Sequence, residues 1–168
     1  VIHVTPLSRL EGTLRLSGAS HLLTLLSDGA VFLRPDGFGA DRCLQLTMHD
    51  IPEARDGYTA PAPEHVEALL AFARRWDRAA PLVVHCHAGI SRSTAAAYAI
   101  AAMLQPARPE DDLARDLRRL SPMATPNPLI VAHADRLLGR QGRMIEAIRS
   151  IGRGADAFEG VPFVLDLR

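Results

Sequence analysis

The sequence predicts an α/β chain with a central, partly parallel sheet flanked by helices. Three observations carry this. Strand-like apolar runs at residues 1–7, 21–26 and 43–48 fill the first half, while helix-spaced segments dominate the second. A helical stretch at 64–79 separates the run at 43–48 from another at 82–85, a strand–helix–strand crossover that makes parallel strands. That last run then passes through a tight turn into an alanine-rich helix at 93–104. At 168 residues the chain is expected to form one domain, 1–168, with residues 139–168 as a helical and extended extension.

Residues 1–7 read as a strand closed by Pro6, and residues 8–18 as a turn or short helix. Residues 21–26 form an apolar core strand ended by Ser27-Asp28-Gly29. Proline, aspartate and two glycines make 34–41 a loop. Cys43, Leu44, Leu46 and Met48, set around Gln45 and Thr47, give a third strand that stops at 49–52. Residues 53–63 show no apolar period, and a loop of that length in a compact domain is functional or mobile. Behind Pro63, Val66, Leu69, Leu70, Ala73 and Trp76 recur at helical spacing. The alanine-rich helix ends at Gln105-Pro106, and Leu113, Leu117 and Leu120 line one face of a helix at 111–120. Prolines make 121–128 a rigid connector before helices at 129–138 and 142–151, which stop at Gly139 and Gly152. The tail 153–168 is glycine-rich, then apolar at Val161, Phe163, Val164 and Leu165.

The turn from Cys86 to Arg92 is the chemically loaded stretch. Loop N–H groups and the positive end of a helix dipole make an anion cradle, lined by the backbone of His87, Ala88, Gly89, Ile90, Ser91 and Arg92. Gly89 lets the backbone approach closely or take positive φ. Arg92 offers a planar guanidinium that grips two phosphate oxygens at once. In general, a helix N-terminus with a nearby cation brings a thiol pKa from about 8.5 to roughly 3.5–7.5. The field that binds a phosphate dianion would therefore also favour a thiolate at Cys86. An arginine at a helix start opposes the dipole, a misfit that an anion between the two relieves. His85-Cys86-His87 could be read as a metal site, but the chain holds no second ligand cluster with zinc-like spacing, so neither metal nor cofactor is expected.

Cys86 and Arg92, with five residues between them, preceded by His85 and followed by Ser93, resemble the signature of cysteine-dependent protein tyrosine phosphatases. Ala88-Gly89-Ile90-Ser91-Arg92-Ser93 looks most like the dual-specificity subgroup. The resemblance implies a phosphotyrosine-phosphatase-like fold and a phosphomonoester hydrolase that works through a phosphocysteine on Cys86, with Arg92 holding the phosphate. It implies that Ser93 donates a hydrogen bond to the sulfur as it leaves. His85 is read as support beneath the loop and His87 as a residue of the pocket mouth. The family's general acid is an aspartate on a loop upstream of the cysteine. Asp56 lies 30 residues before Cys86 and Asp50 lies 36 before it. Spacing favours Asp56. Context favours Asp50, the first choice, because it follows a strand and heads the loop; His49 is a weaker alternative. Residues 121–127 resemble the dual-specificity Pro-Asn segment, which implies that Asn127 helps order the phosphate loop; a plain cap before Pro128 is the other reading. The resemblance covers 43–104, weakens to 139, is faint before 43 and absent from 139–168. No Trp-Pro-Asp triplet and no phosphotyrosine clamp are found, which leaves the choice between Tyr and Ser/Thr substrates open. A loop without lysine makes no special case for inositol lipid head groups.

Composition narrows the classes further. Acidic and basic residues balance at 19 each, so nothing points to nucleic acid or an anionic membrane. Every basic residue is arginine, which together with abundant alanine suggests a GC-rich, bacterial genome. The longest apolar run, near 95–104, is too short to span a bilayer, and no signal peptide is expected at Val1-Ile2-His3. Cys43 and Cys86 make no disulfide framework, so a reducing cytoplasm is expected. Cys43 is read as core packing, with trapping of oxidised Cys86 as the alternative. The expected partner is a phosphorylated protein or small phosphomonoester, with the oligomeric state open. Competing classes are a non-catalytic phospho-binding module and another thiolate-loop enzyme, such as a sulfurtransferase. An arsenate reductase would want partner cysteines nearer the loop.

Overall fold

The computed structural model describes residues 1–167. Its strands are β1 Ile2–Pro6, β2 His21–Leu26, β3 Cys43–Thr47, β4 Leu82–Cys86 and β5 Phe163–Leu165. They form one mixed sheet in the order β3-β2-β4-β1-β5, the first four parallel and β5 antiparallel on β1. β4 occupies the middle, where Val84 is in register with Val4 on one side and Leu23 on the other. A strand covered on both faces reads as a continuous apolar run, which is why 82–86 shows no alternation.

The helices are α1 Leu10–Ser17, α2 Pro63–Arg75, α3 Arg92–Leu104, α4 Glu110–Leu120, α5 Pro128–Leu137 and α6 Arg143–Ile151. Side chains alternate across the sheet. Ile2, Val4, Leu23, Leu25, Leu82, Val84 and Cys86 enter a large core with α2 to α6, while Leu22 and Val83 enter a smaller one with Leu10 of α1. α3 is buried all round from Arg92 to Ala102. Its alanines keep it thin enough for the sheet, α2, α4 and α5 to pack around it.

The helix expected at 64–79 stops at Arg75 instead. Trp76 turns extended and donates its indole N–H to Ala80 O at 2.8 Å, while Asp77 Oδ1 accepts from Ala79 N. These bonds hold 76–80 as a turn into β4. Residues 139–167 hold α6 and β5, which bury Met144, Ala147, Phe163 and Leu165 in the large core.

The trapping alternative for Cys43 fails. Cys43 is in register with Leu22 and Leu22 with Val83, so two strand spacings and three residues separate it from Cys86. That is roughly 14 Å at ~4.8 Å between strands and ~3.3 Å per residue, beyond the ~7 Å Cα reach of a disulfide. The two thiols also face different cores. Among the described residues, no helix is long and apolar enough to cross a membrane.

Candidate active site

β4 ends at Cys86, on the carboxyl edge of the sheet where ligands of open α/β folds bind. Strand alternation sends the Cys86 side chain toward α3 and the His85 ring to the opposite face. The chain then curls back on the sulfur. Gly89 N–H donates to Cys86 Sγ at 3.3 Å, and Ser93 Oγ, in the first turn of α3, lies 3.1 Å from it. Two donor-capable groups aimed at one buried sulfur stabilise negative charge there.

β1 shapes this curl from the side. Gly89 has φ +68°, and a Cβ on it would sit 2.6 Å from Pro6 N. Leu7 N donates to His87 O at 3.1 Å. Only glycine combines that backbone with that approach.

Arg92 is 4% exposed and reaches across the ends of two further strands. One Nη donates to Met48 O at 2.7 Å, just past β3, and to Ser27 Oγ at 3.0 Å, just past β2. Its Nε is buried without a hydrogen-bond partner. A buried, charged donor without an acceptor is costly, and such a group marks where an anion would be welcome.

His85 underlies the loop. Its Nε2 lies 2.8 Å from Thr24 Oγ1, and its ring packs on Phe32 at 5.3 Å. Burial lowers its pKa to about 4, assisted by the Arg92 charge and opposed by the Cys86 backbone. The ring is therefore neutral near neutral pH and acts as packing and hydrogen-bond support.

Asp50 is brought to the other rim. Its Oδ1 accepts from Ser91 Oγ at 2.6 Å and from Asn127 Nδ2 at 2.9 Å. Its Oδ2 carries no hydrogen bond among the described residues and the residue is exposed. Asn127 does more than cap. Its Oδ1 accepts from Leu129 N and Ile130 N at the start of α5, while its Nδ2 holds Asp50 and Ile51 O. The backbone adds Asn127 N to Ser91 O and Thr125 N to Ile90 O, so 125–127 are stitched to the loop that follows β4. His49 is fixed instead by Thr59, whose N–H donates to its Nδ1 at 3.0 Å. Asp56 stands exposed, with no bond to residues 86–92. Of the other loop residues, His87 is exposed, and Ala88, Ile90 and Ser91 are half-buried.

Sequence reasoning overlooked Ser27, Met48 O, Thr24 and Pro6. Ser27 was within reach, because it follows β2 as Asp50 follows β3. Thr24 is a lone polar residue in an apolar strand. Nothing in the sequence signals a carbonyl partner or the steric role of Pro6.

Residues 49–121 match the family model of protein-tyrosine phosphatases. No curated protein matches the chain at a significant level. Among solved structures, the chain is similar to DUSP15, with TM-score 0.58, 19% identity and 89% of each chain covered. It is also similar to human DUSP28, with TM-score 0.60, 20% identity, and 83% of this chain and 92% of that one covered. A third is PTPMT1 in complex with PI(5)P, with TM-score 0.57, 14% identity, and 82% and 88% covered. At these identities the likeness is one of fold. The matched segment runs from the Asp50 rim through Cys86 and Arg92 to the end of α4. Residues 49–121 thus match the protein-tyrosine phosphatase family model, and the chain has the fold of dual-specificity phosphatases.

Proposed function

We propose that the chain is a phosphomonoester hydrolase, a protein tyrosine or dual-specificity phosphatase acting through a phosphocysteine on Cys86. The observation that carries this is a loop that curls back on the buried Cys86 sulfur and ends at Arg92, whose buried Nε has no hydrogen-bond partner. Phosphate monoesters hydrolyse extremely slowly in water, so placement and charge stabilisation must supply the rate.

In the first step, Cys86 Sγ attacks phosphorus in line with the ester oxygen, forming an S–P bond as the P–O bond breaks. The backbone amides of 87–92 and the Arg92 guanidinium receive the equatorial oxygens, where charge spreads in a loose transition state. Asp50, held by one oxygen, gives a proton from its free Oδ2 to the leaving oxygen. In the second step, water attacks phosphorus, its proton passes to the Asp50 carboxylate, and the sulfur leaves as a thiolate stabilised by the Ser93 hydroxyl. The reaction uses no redox change and none of its steps calls for a cofactor. The thiolate suits a reducing compartment such as the cytoplasm, and the substrate is a phosphorylated protein or small phosphomonoester. A module that only bound phosphate would need neither Sγ nor a second donor on it.

The test is hydrolysis of an aryl phosphate by Cys86→Ser. The expected result is a loss of at least about a thousandfold in kcat, on the order of 4 kcal/mol, with inorganic phosphate still bound. Turnover close to wild type would end the reading.

A further inference from the structure

The segment 152–160, between α6 and β5, is pinned across the outside of the phosphate loop. Gly154 N donates to Thr125 Oγ1 at 3.1 Å and Ala155 N to Pro122 O at 3.0 Å. At the far end, Gly160 N donates to Ala88 O at 2.7 Å, and Ser8 Oγ donates to Glu159 Oε2 at 2.7 Å. Both glycines are pressed against backbone: a Cβ would lie 2.5 Å from Met123 O at Gly154 and 2.8 Å from Gly89 O at Gly160. Between these pins the chain holds one large apolar side chain in solvent. Phe158 is 100% exposed. It lines a cavity of about 230 Å³ with Leu7, Ser8, His87, Ala88 and Glu159.

A phenyl ring held open on a pinned strap contributes nothing to the core. Its place relative to the nucleophile is what gives it a use. Ala88 is two residues from Cys86, and two Cα steps span at most about 7 Å. An extended peptide advances ~3.3 Å per residue, so a substrate with its phosphate in the loop brings its neighbouring side chains to this wall. The cavity takes one aliphatic side chain, and the Glu159 carboxylate on its rim repels an acidic one.

We infer that residues 152–160 are a substrate-selecting strap, in which Phe158, Leu7 and Ala88 receive an apolar side chain flanking the phosphorylated residue of a peptide. This rests on the phosphatase reading and adds a substrate class to it: phosphopeptides with an apolar, non-acidic neighbour.

The experiment compares phosphotyrosyl peptides that carry Leu or Asp immediately before, or immediately after, the phosphotyrosine. The wild-type protein is expected to prefer Leu at one of these positions by about tenfold in kcat/KM, the scale of one apolar side chain in a pocket. Phe158→Ala is expected to bring that ratio to within about twofold, and Phe158→Leu to keep most of it. The same ratio is read as Kd by fluorescence anisotropy on Cys86→Ser, with and without Phe158→Ala. If the wild-type protein hydrolyses aryl phosphate but ranks the peptides equally, the strap inference falls and the hydrolase reading stands. If it hydrolyses nothing, the hydrolase reading falls and the Kd ratios decide: a Leu preference lost with Phe158→Ala upholds the strap, and equal Kd values overturn it. A Leu preference that survives Phe158→Ala also overturns it.

Discussion

At the scale of single residues, the loop depends on Gly89 and His85. Gly89→Ala would set a Cβ 2.6 Å from Pro6 N in a left-handed conformation. That conformation alone costs about 1–2 kcal/mol for an L-residue, and overpacking adds about 1–3 kcal/mol. Thermal unfolding should therefore show a Tm lower by roughly 5–15 °C, at about 2–4 °C per kcal/mol for a chain of this size. Phosphate binding should fall with it. His85 is fully buried, and its pKa of about 4 lies below the ordinary 6.5. The unfolded chain then binds more protons than the folded one between those values. Stability from this group is whole above pH 6.5 and is lost as pH falls toward 4, by about 3 kcal/mol in all. Denaturant unfolding at pH 7 and pH 4.5 should show this loss. It should shrink in His85→Gln, and an unchanged pH dependence in that variant would contradict the assignment.

At the scale of elements, the site is where strand ends and helix starts meet. β2, β3 and β4 deliver Ser27, Met48 O and Cys86, while α3 and α5 deliver Arg92, Ser93 and Asn127. Asn127→Ala removes the cap of α5 and the tie to Asp50 together. The cap alone is worth about 1 kcal/mol, so Tm should fall by about 2–4 °C and kcat should fall as well. Asp50→Ala should slow phenyl phosphate about a hundredfold more than an activated nitrophenyl ester, within the span of general acid catalysis. Asp56→Ala should change neither. The reverse ranking would move the acid to the loop 53–63. Most of these elements were legible in the sequence, because apolar periodicity, prolines and glycines carry local signals. Helix α2 was overextended by about a turn, since the Trp76 and Asp77 bonds that end it are contacts between side chain and backbone. The Cys-to-Arg loop was legible because its chemistry is contiguous. The partners of Arg92 and the double use of Asn127 were not, because they depend on strands far apart in sequence coming to one edge.

At the scale of the whole molecule, the sheet order places β4 centrally, so Cys86, the proposed nucleophile, sits on the best-buttressed strand. The C-terminal residues close the sheet, with Phe163 and Leu165 in the large core and β5 on the free side of β1. Leu165→Ala should cost about 2–5 kcal/mol, measured by chemical denaturation. A cost near zero would show that β5 is peripheral to stability. This end of the chain was the least legible: a short apolar run after glycines does not announce which strand it will join. On the proposed function, this architecture serves one event, the passage of a phosphoryl group through the buried Cys86 sulfur. Rapid mixing with an aryl phosphate, acid quenching and peptide mass mapping test it most directly. The account predicts one phosphoryl group on Cys86, formed within the first turnover and absent from Cys86→Ser. Product release with Cys86 unmodified, or with the phosphoryl group on another residue, would contradict it.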